Sequence, residues 1–503
     1  MRIHLFALCC MPLVVAGCGG GGSGGGGPPP AAATANLSVS SLSFAAQDIG
    51  SASAAQSITL SNTGTVSLSV TSLATKGDFG QSNNCGSSVG VGAQCTVQIA
   101  FTPTATGTRS GMLTFSDNAA GSPQVVQLAG TGTSRGGASV PAAYFAMNLS
   151  MTADWPTAPS LGAIRLWDTQ TAWEFAEPSR GVYDWTNIDS WVATAQAHGV
   201  DVLYTFGRTP AWASAAGTPD TPPADLTAWD EFVTALVTRY KGRIKFYEGW
   251  NEPNAPNFYN GTTAQLVALQ QHAYNIIHQL DPAAMVLTPP PATGATPTVP
   301  QFLNQFFAAG GGAYADIVSF HAYTPPDAES ISALINNVND VVAQAGQASK
   351  PLWISEGGWS KQANLPDPDL QAAFAAKHLL LARGLGVQRF YWYGYDFVPW
   401  GTLFDRPTKT LLKPGIAYRE VQKWMLGATQ SQACAQDAKG TWTCALSRQN
   451  GYQALAVWNN SGGSYTPSGI YRQYRDINGS TTPVAGSLTL SNTPILLETG
   501  SAF

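Results

Sequence analysis

The stretch "IKFYEGWNEPN", residues 244–254, runs apolar and aromatic like a buried β-strand and then closes on two carboxylates, Glu248 and Glu252. A strand covered on both faces reads as a near-continuous apolar run, so a charged group fits best where the strand ends. Seven other short runs share this character: "YFAMN" (144–148), "AIRLWD" (163–168), "VDVLYTFG" (200–207), "MVLTPP" (285–290), "DIVSFHAY" (316–323), "LWISEGGW" (352–359) and "VQRFYWYGYD" (387–396). Helix-period patterns fill most gaps, over residues 187–198, 226–240, 263–279, 329–346, 369–384 and 414–425. The first crossover, between Asn148 and Ala163, is too short for a full helix. Eight successive units of this kind fit a closed parallel (β/α)8 TIM barrel over residues 141–426 better than an open doubly wound sheet, and no glycine-rich phosphate loop follows any strand. In such a barrel the chemistry sits at the C-terminal ends of the strands.

Composition narrows the ligand. Charged residues make up 11% of the 503, against about 25% in an average soluble domain, while aromatics reach 10% with 15 Trp. Sparse charge with abundant Trp suits a neutral, hydroxyl-rich ligand, a polysaccharide or oligosaccharide. The net charge of −5 argues against nucleic acid, which needs a basic face. No His or Cys spacing points to a metal, nothing calls for a cofactor, and a monomer is expected.

The regions outside the barrel read differently. Arg2 and His4 precede the apolar run "LFALCCMPLVVAGC", which is too short to span a bilayer and reads as an export signal. Its end, "VAGC", resembles the bacterial lipoprotein signal. That resemblance implies removal of residues 1–17, a lipid on Cys18 and, with Gly19 rather than Asp next, an outer-membrane or cell-surface place in a Gram-negative cell. Residues 18–36, with "GGGGSGGGGPPP", form a flexible tether that stiffens at the prolines. Residues 37–134 carry short alternating runs between turn residues, the pattern of a β-sandwich. Through "LSNTGTVSLSV", "FTPTATGTRSGMLTFSDN" and "LAGTGT" this segment resembles the Hydin-type immunoglobulin-like modules, which implies a spacer. Residues 427–503 return to β pattern in "WTCALSRQN", "YQALAVWNN" and "SLTLSNTPILLE", a small C-terminal β-sandwich. Three of the seven cysteines (Cys9, Cys10, Cys18) belong to the signal region; the rest form two local pairs, Cys85 with Cys95 and Cys434 with Cys444, read as hairpin disulfides in an exported chain.

Two carboxylates frame the barrel's expected mouth: Glu252 after the fourth strand and Glu356 at the end of the seventh. Cleavage of a glycosidic bond needs such a pair, one protonated for the leaving oxygen and one ionised to attack or stabilise the sugar. "WNEPN", "SFHAY" and "ISEGGW" resemble the clan A retaining glycoside hydrolases, with "RLWDTQTAWEFAEPSRGVYDWTNID" and "TFGRTPAW" most similar to family 39. Family 5 is the near competitor, but its usual His after the third strand is replaced here by "FGRTPAW". The resemblance implies Glu252 as acid/base and Glu356 as nucleophile. It also implies Asn251 as the holder of the sugar 2-hydroxyl, and His321 with Tyr323 lining the cleavage subsite. Arg165 would support the nucleophile, and Trp392 would be an eighth-strand aromatic floor.

The acid should sit in apolar surroundings, expected from Trp250 and Phe246, and the nucleophile beside groups that favour its anion, Arg165 and Tyr323. Strand parity points Glu248 into the barrel as a buried partner for an arginine, and Asp168 is a candidate for a sugar hydroxyl. Glu177 reads as a loop-fixing residue. His198, His272, His278 and His378 read as surface or interface residues, and Trp173, Trp212, Trp359 and Trp400 divide evenly between packing and sugar contact. The resulting expectation is a lipid-anchored, retaining, endo-acting β-glycosidase on a cell-envelope or extracellular polysaccharide. Its alternatives are an exo-acting β-xylosidase-like enzyme, a glycan-binding lipoprotein without catalysis, and a surface adhesin driven by the N-terminal module.

Overall fold

The computed structural model describes residues 31–45, 47–48, 52–104, 107–133, 139–397 and 400–500. The segment read as an export signal, Cys18 and most of the residues read as a tether lie outside these residues. Among the described residues no helix is long and apolar enough to cross a membrane.

The central region is the expected barrel. Its strands are β1 (Phe145–Asn148), β2 (Ala163–Leu166), β3 (Asp201–Thr205), β4 (Phe246–Glu248), β5 (Met285–Leu287), β6 (Val318–Tyr323), β7 (Leu352–Gly358) and β8 (Val387–Trp392). They run in parallel register, and β8 pairs back to β1 through Phe145 opposite Phe390. The seam between β5 and β6 is closed by a parallel bridge, Leu287 to Ile317, with the Thr288 N–H donating to the Ile317 carbonyl at 3.0 Å.

Alternate residues take opposite faces. Ala146, Ala163, Leu203, Phe246, Leu287, Trp353 and Tyr391 fill the interior as one cluster, while Met147, Ile164, Val202, Tyr247, Val286, Phe320, Ile354 and Phe390 pack outward under the helices. The barrel is a packed core with a polar upper layer.

The helices longer than one turn are α1 (Thr186–Ala197), α2 (Leu226–Tyr240), α3 (Thr263–Leu280), α4 (Val299–Ala308), α5 (Ile331–Gln344), α6 (Pro368–Gly384) and α7 (Lys413–Met425). The β1–β2 crossover holds only a 3-10 turn, Thr152–Asp154. Helix α4 was not anticipated. It buries Val299, Phe302, Leu303 and Phe306 at helical spacing behind a Thr298/Gln301 capping box, a short pattern hidden by the prolines before it.

Residues 371–384 of α6 are buried throughout, because the barrel lies on one side and the C-terminal sandwich on the other. His378 is therefore core, not surface. It bonds Thr324 Oγ1 at 2.9 Å, and burial lowers its pKa to about 3, so the ring is neutral. Among the other three, His272 and His278 pair with Asp230 and Asp316 on the helix layer.

Residues 35–133 form two β-sheets around a separate core that includes Ile58, Leu60, Val97, Phe101, Leu113 and Phe115. The C-terminal sheets instead share the barrel's core through Cys444, Leu446, Trp458 and Leu496. Trp458 Nε1 donates to Glu329 at 2.7 Å, and buried Lys377 joins the same carboxylate at 2.9 Å. Both disulfides are present, Cys85–Cys95 and Cys434–Cys444.

Candidate active site

Arg165 organises the barrel mouth. Its β2 position points inward, and with its side chain fully buried the guanidinium spreads over three partners. Nε donates to Glu248 Oε2 at 2.7 Å, Nη1 to Glu356 Oε1 at 2.5 Å and Nη2 to Asn251 Oδ1 at 2.6 Å. A planar fork of N–H donors can address several acceptors at fixed angles, which a lysine cannot do. Glu248 is thus the buried arginine partner that its parity indicated, and Thr205 Oγ1 donates to it as well, at 3.0 Å. Two carboxylates around one guanidinium keep the arginine's pKa above its ordinary value despite burial.

Glu356 reaches the mouth through a bulge. Trp353 points into the barrel, so strict alternation would turn Glu356 outward. The register skips a residue there: Phe320 faces Ile354, but His321 faces Glu356. Ser355 is the extra residue, and the bulge re-aims the carboxylate toward Arg165. Tyr323 completes its clamp, donating from its hydroxyl to Glu356 Oε2 at 2.7 Å. Burial pushes the Glu356 carboxyl above its usual pKa while the charge of Arg165 pulls it back. The pairing with Arg165 and Tyr323 is as expected; the degree of burial, 6% side-chain exposure, is the opposing influence that the sequence did not reveal.

Glu252 lies four residues beyond the end of β4, in a loop where its φ of 46° is left-handed. That conformation is rare for a residue with a side chain and costs about 1–3 kcal/mol, so the surrounding contacts impose it. Its N–H donates to the Pro290 carbonyl at 3.1 Å. Burial raises its pKa to about 7, with the nearby charge of Asp168 adding and that of Arg165 opposing. The apolar setting does not come from the rings expected to supply it. Phe246 lies deep in the barrel against Trp353, and Trp250 packs outward on Trp229 and Tyr259.

His321 links the two acids. Nδ1 is 2.7 Å from Glu252 Oε1 and 3.4 Å from Glu356 Oε2, and Nε2 is 3.5 Å from Arg165 Nη2. Complete burial lowers its pKa to about 4, so at neutral pH the ring carries one proton. Nε2 faces an arginine that has only donors and must accept; the proton is therefore on Nδ1, donating to Glu252. Among the described residues only Oε1 of Glu252 has a hydrogen-bond partner, which leaves Oε2 for a ligand.

Asn251 offers a second open group: its Nδ2 is buried without a partner while its Oδ1 is fixed by Arg165. A buried donor of this kind marks a place where a ligand acceptor completes the bonding. Asp168 is exposed at the rim and accepts from the Tyr393 hydroxyl at 2.6 Å.

Trp392 is not an aromatic floor. It is fully buried, donates to the Gly401 carbonyl at 3.0 Å and packs on Trp359, Phe390 and Tyr418 in the layer under the helices. The parity of β8 explains the correction: Tyr391 points inward, so Trp392 points outward and Tyr393 takes the mouth. Tyr393 is the residue that sequence reasoning missed, and counting in twos along "FYWYGYD" locates it. Of the loop tryptophans, Trp173 and Trp359 are core, Trp212 donates to the Glu177 carbonyl at 2.8 Å, and Trp400 is half-buried. Glu177 fixes its loop through Trp173 Nε1 and the Gly181 N–H, both at 2.8 Å.

One ligating atom each from Glu252, His321 and Glu356 lie within 4.8 Å of one another. Three such groups resemble a cation's ligand set, but a guanidinium 2.5 Å from Glu356 and a proton on His321 Nδ1 already occupy it. The same spacing brings an acid with a pKa near neutrality against a clamped carboxylate.

Residues 183–418 match the family model described as the glycosyl hydrolase catalytic core, a span that takes in both acids, His321 and Tyr323. Residues 37–131 match the HYDIN/CFA65/VesB-like Ig-like domain. A β-xylosidase of Geobacillus stearothermophilus is 27% identical over 248 residues, 42% of this chain and 48% of that protein. A β-xylosidase of Caldicellulosiruptor saccharolyticus is 30% identical over 133 residues, 25% of this chain and 26% of that one. The chain thus spans about half or less of the curated relatives it matches. A family 39 glycoside hydrolase of Bacteroides cellulosilyticus superposes with a TM-score of 0.57 at 17% identity, over 90% of this chain and 98% of its own. A glucosidase of Croceicoccus marinus gives 0.54 at 15%, over 73% and 98%; at these identities the likeness establishes the fold. The barrel of this chain thus resembles a glycosyl hydrolase catalytic core over residues 183–418, and the segment ahead of it, residues 37–131, an Ig-like domain.

Proposed function

We propose that the barrel is a retaining β-glycosidase, most like family 39, that works by double displacement. The observation that carries this reading is the close approach of Glu252 and Glu356 across one mouth, an oxygen of each within 4.8 Å of the other and both against His321 Nδ1, which leaves no gap for a water in line between their nearest oxygens. Retaining enzymes hold their carboxyl groups about 5–5.5 Å apart, whereas inverting ones leave about 6.5–9.5 Å for a water. In the first step Glu356 attacks the anomeric carbon and Glu252 gives its proton to the departing oxygen. As Glu252 becomes an anion, the Nδ1–H of His321 is already aimed at it, so no reorganisation is required. In the second step Glu252 takes a proton from water, the water attacks the same carbon, and Glu356 is released. Arg165 and Tyr323 hold one oxygen of Glu356 each throughout, and the open Nδ2 of Asn251 serves a sugar hydroxyl.

The direct test is the product's configuration. Proton NMR within the first minutes of hydrolysis should show the substrate's own anomer, before mutarotation mixes the two. The inverted anomer appearing first would sink the mechanism.

We read the substrate as a cell-envelope or extracellular polysaccharide cleaved within the chain. An exo-acting β-xylosidase is the second reading, favoured by the names of the two curated relatives. Attachment through Cys18 is supported by "VAGC" and the glycine tether behind it. Cys18→Ser should shift the protein from the membrane fraction to the soluble one; continued membrane association of the variant would rule out the lipid.

A further inference from the structure

We infer that Trp400, with Lys361 beside it, forms a second sugar subsite on the glycone side of the catalytic pair, so that the enzyme takes chains and not only terminal residues. This rests on the retaining-glycosidase reading of Glu252 and Glu356. Glu252 protonates the leaving oxygen, so the aglycone lies on its side of the mouth. The sugar under attack lies against Glu356, Tyr323 and Tyr393, the last fixed by Asp168. A line of aromatic rings continues outward from there. Tyr323 and Tyr393 meet edge to face at 6.3 Å between centroids, and Tyr393 meets Trp400 in the same manner at 5.8 Å. Phe397 flanks Tyr393 at 6.4 Å.

Trp400 differs from the tryptophans that only pack. Trp173 and Trp359 are fully buried, but Trp400 is only partly buried at the end of this line. It is nevertheless held firmly. An antiparallel bridge joins it to Lys361, and the Gly401 N–H donates to the Ser360 carbonyl at 2.9 Å. Ser360 itself has a left-handed φ of 63°, a turn that brings the β7 loop against the β8 loop. The exposed Lys361 carries its ammonium 5.8 Å from the centre of the Trp400 ring. A fixed, partly exposed indole with an exposed ammonium 5.8 Å over its ring, on a flexible side chain that a sugar can displace, provides what a pyranose needs, an apolar face to stack on and a donor for hydroxyls or a carboxylate.

The test compares aryl β-xyloside with aryl β-xylobioside and aryl β-glucoside with aryl β-cellobioside. The wild type should prefer the disaccharide of the pair it cleaves by about tenfold or more in kcat/KM, and Trp400→Ala should collapse that ratio toward one. Trp400→Phe, which keeps a smaller face, should fall between and shows that a lost ratio is not lost folding. A wild-type ratio near one, or a ratio that Trp400→Ala leaves intact, overturns the subsite while leaving the glycosidase standing. If the wild type cleaves none of the four probes, the glycosidase reading fails, and the subsite fails with it.

Discussion

Glu356→Gln should reduce hydrolysis by on the order of 10⁴-fold or more while glycan binding stays within a few-fold of wild type. The amide keeps the shape of the acid: its one oxygen can still accept from Arg165 and its NH2 can donate to the Tyr323 hydroxyl, groups that lie 2.5 and 2.7 Å from the two oxygens of Glu356. It lacks the anionic oxygen that must form the bond to the anomeric carbon. The loss should therefore appear in kcat, with KM or a directly measured Kd nearly unchanged. The Glu248 interaction with Arg165 persists in this variant, so the guanidinium stays anchored and the fold should hold. Turnover at the wild-type rate on any substrate the wild type cleaves would remove Glu356 from the nucleophile's role. Loss of binding along with turnover would mean that the pocket, and not the chemistry, depends on this charge. The alternative of a glycan-binding barrel without catalysis makes the opposite demand, since it requires the wild type and the variant to behave alike.

The fold was readable because the barrel's physics is written along each strand. Runs buried on both faces have no alternation to disguise them, and all eight fall where the apolar stretches indicated. Glu248 followed from counting in twos along "FYEGWNE", since β4 keeps regular alternation up to its end. The same count applied to "FYWYGYD" places Tyr393, not Trp392, in the mouth; carrying the family's aromatic floor over to Trp392 without checking the parity put it one residue early. Glu356 shows where counting fails. The bulge at Ser355 breaks the alternation, and nothing in "LWISEGGW" announces it apart from a small residue before the acid. Glu252 is a second case, because its left-handed backbone lies past the strand and is set by contacts with the β5 loop that come from 38 positions later in the chain, at Pro290. Residues that belong to one element were legible. Those whose aim depends on a neighbour's register, or on a loop closing over them, were not.

Those two departures also explain the division of labour between the acids, which Glu252→Ala tests. The acid's pKa of about 7 comes from burial, so at pH below 7 it is mostly protonated and competent to give a proton to the leaving oxygen. Raising pH through about 7 removes that proton, and wild-type kcat/KM should fall on the alkaline side with an apparent pKa near this value. The acidic side is governed by Glu356, which must be ionised and whose own pKa burial has raised. In Glu252→Ala the alkaline limb should vanish, because the group that titrates there is gone. Turnover of an unactivated glycoside should fall by about 10²–10⁴-fold, the usual contribution of a positioned acid/base. An aryl glycoside with a good leaving group needs no proton to depart, so the variant should still form the glycosyl-enzyme at a near-normal rate and then stall, since no base activates water. Azide needs no base, and the space vacated by the side chain sits beside His321, so added azide should attack the intermediate and release a β-glycosyl azide. Isolation of the α-azide, or failure of the folded variant to form the intermediate even from the activated substrate, would contradict the assignment of Glu252 as an acid/base acting from the face opposite the nucleophile.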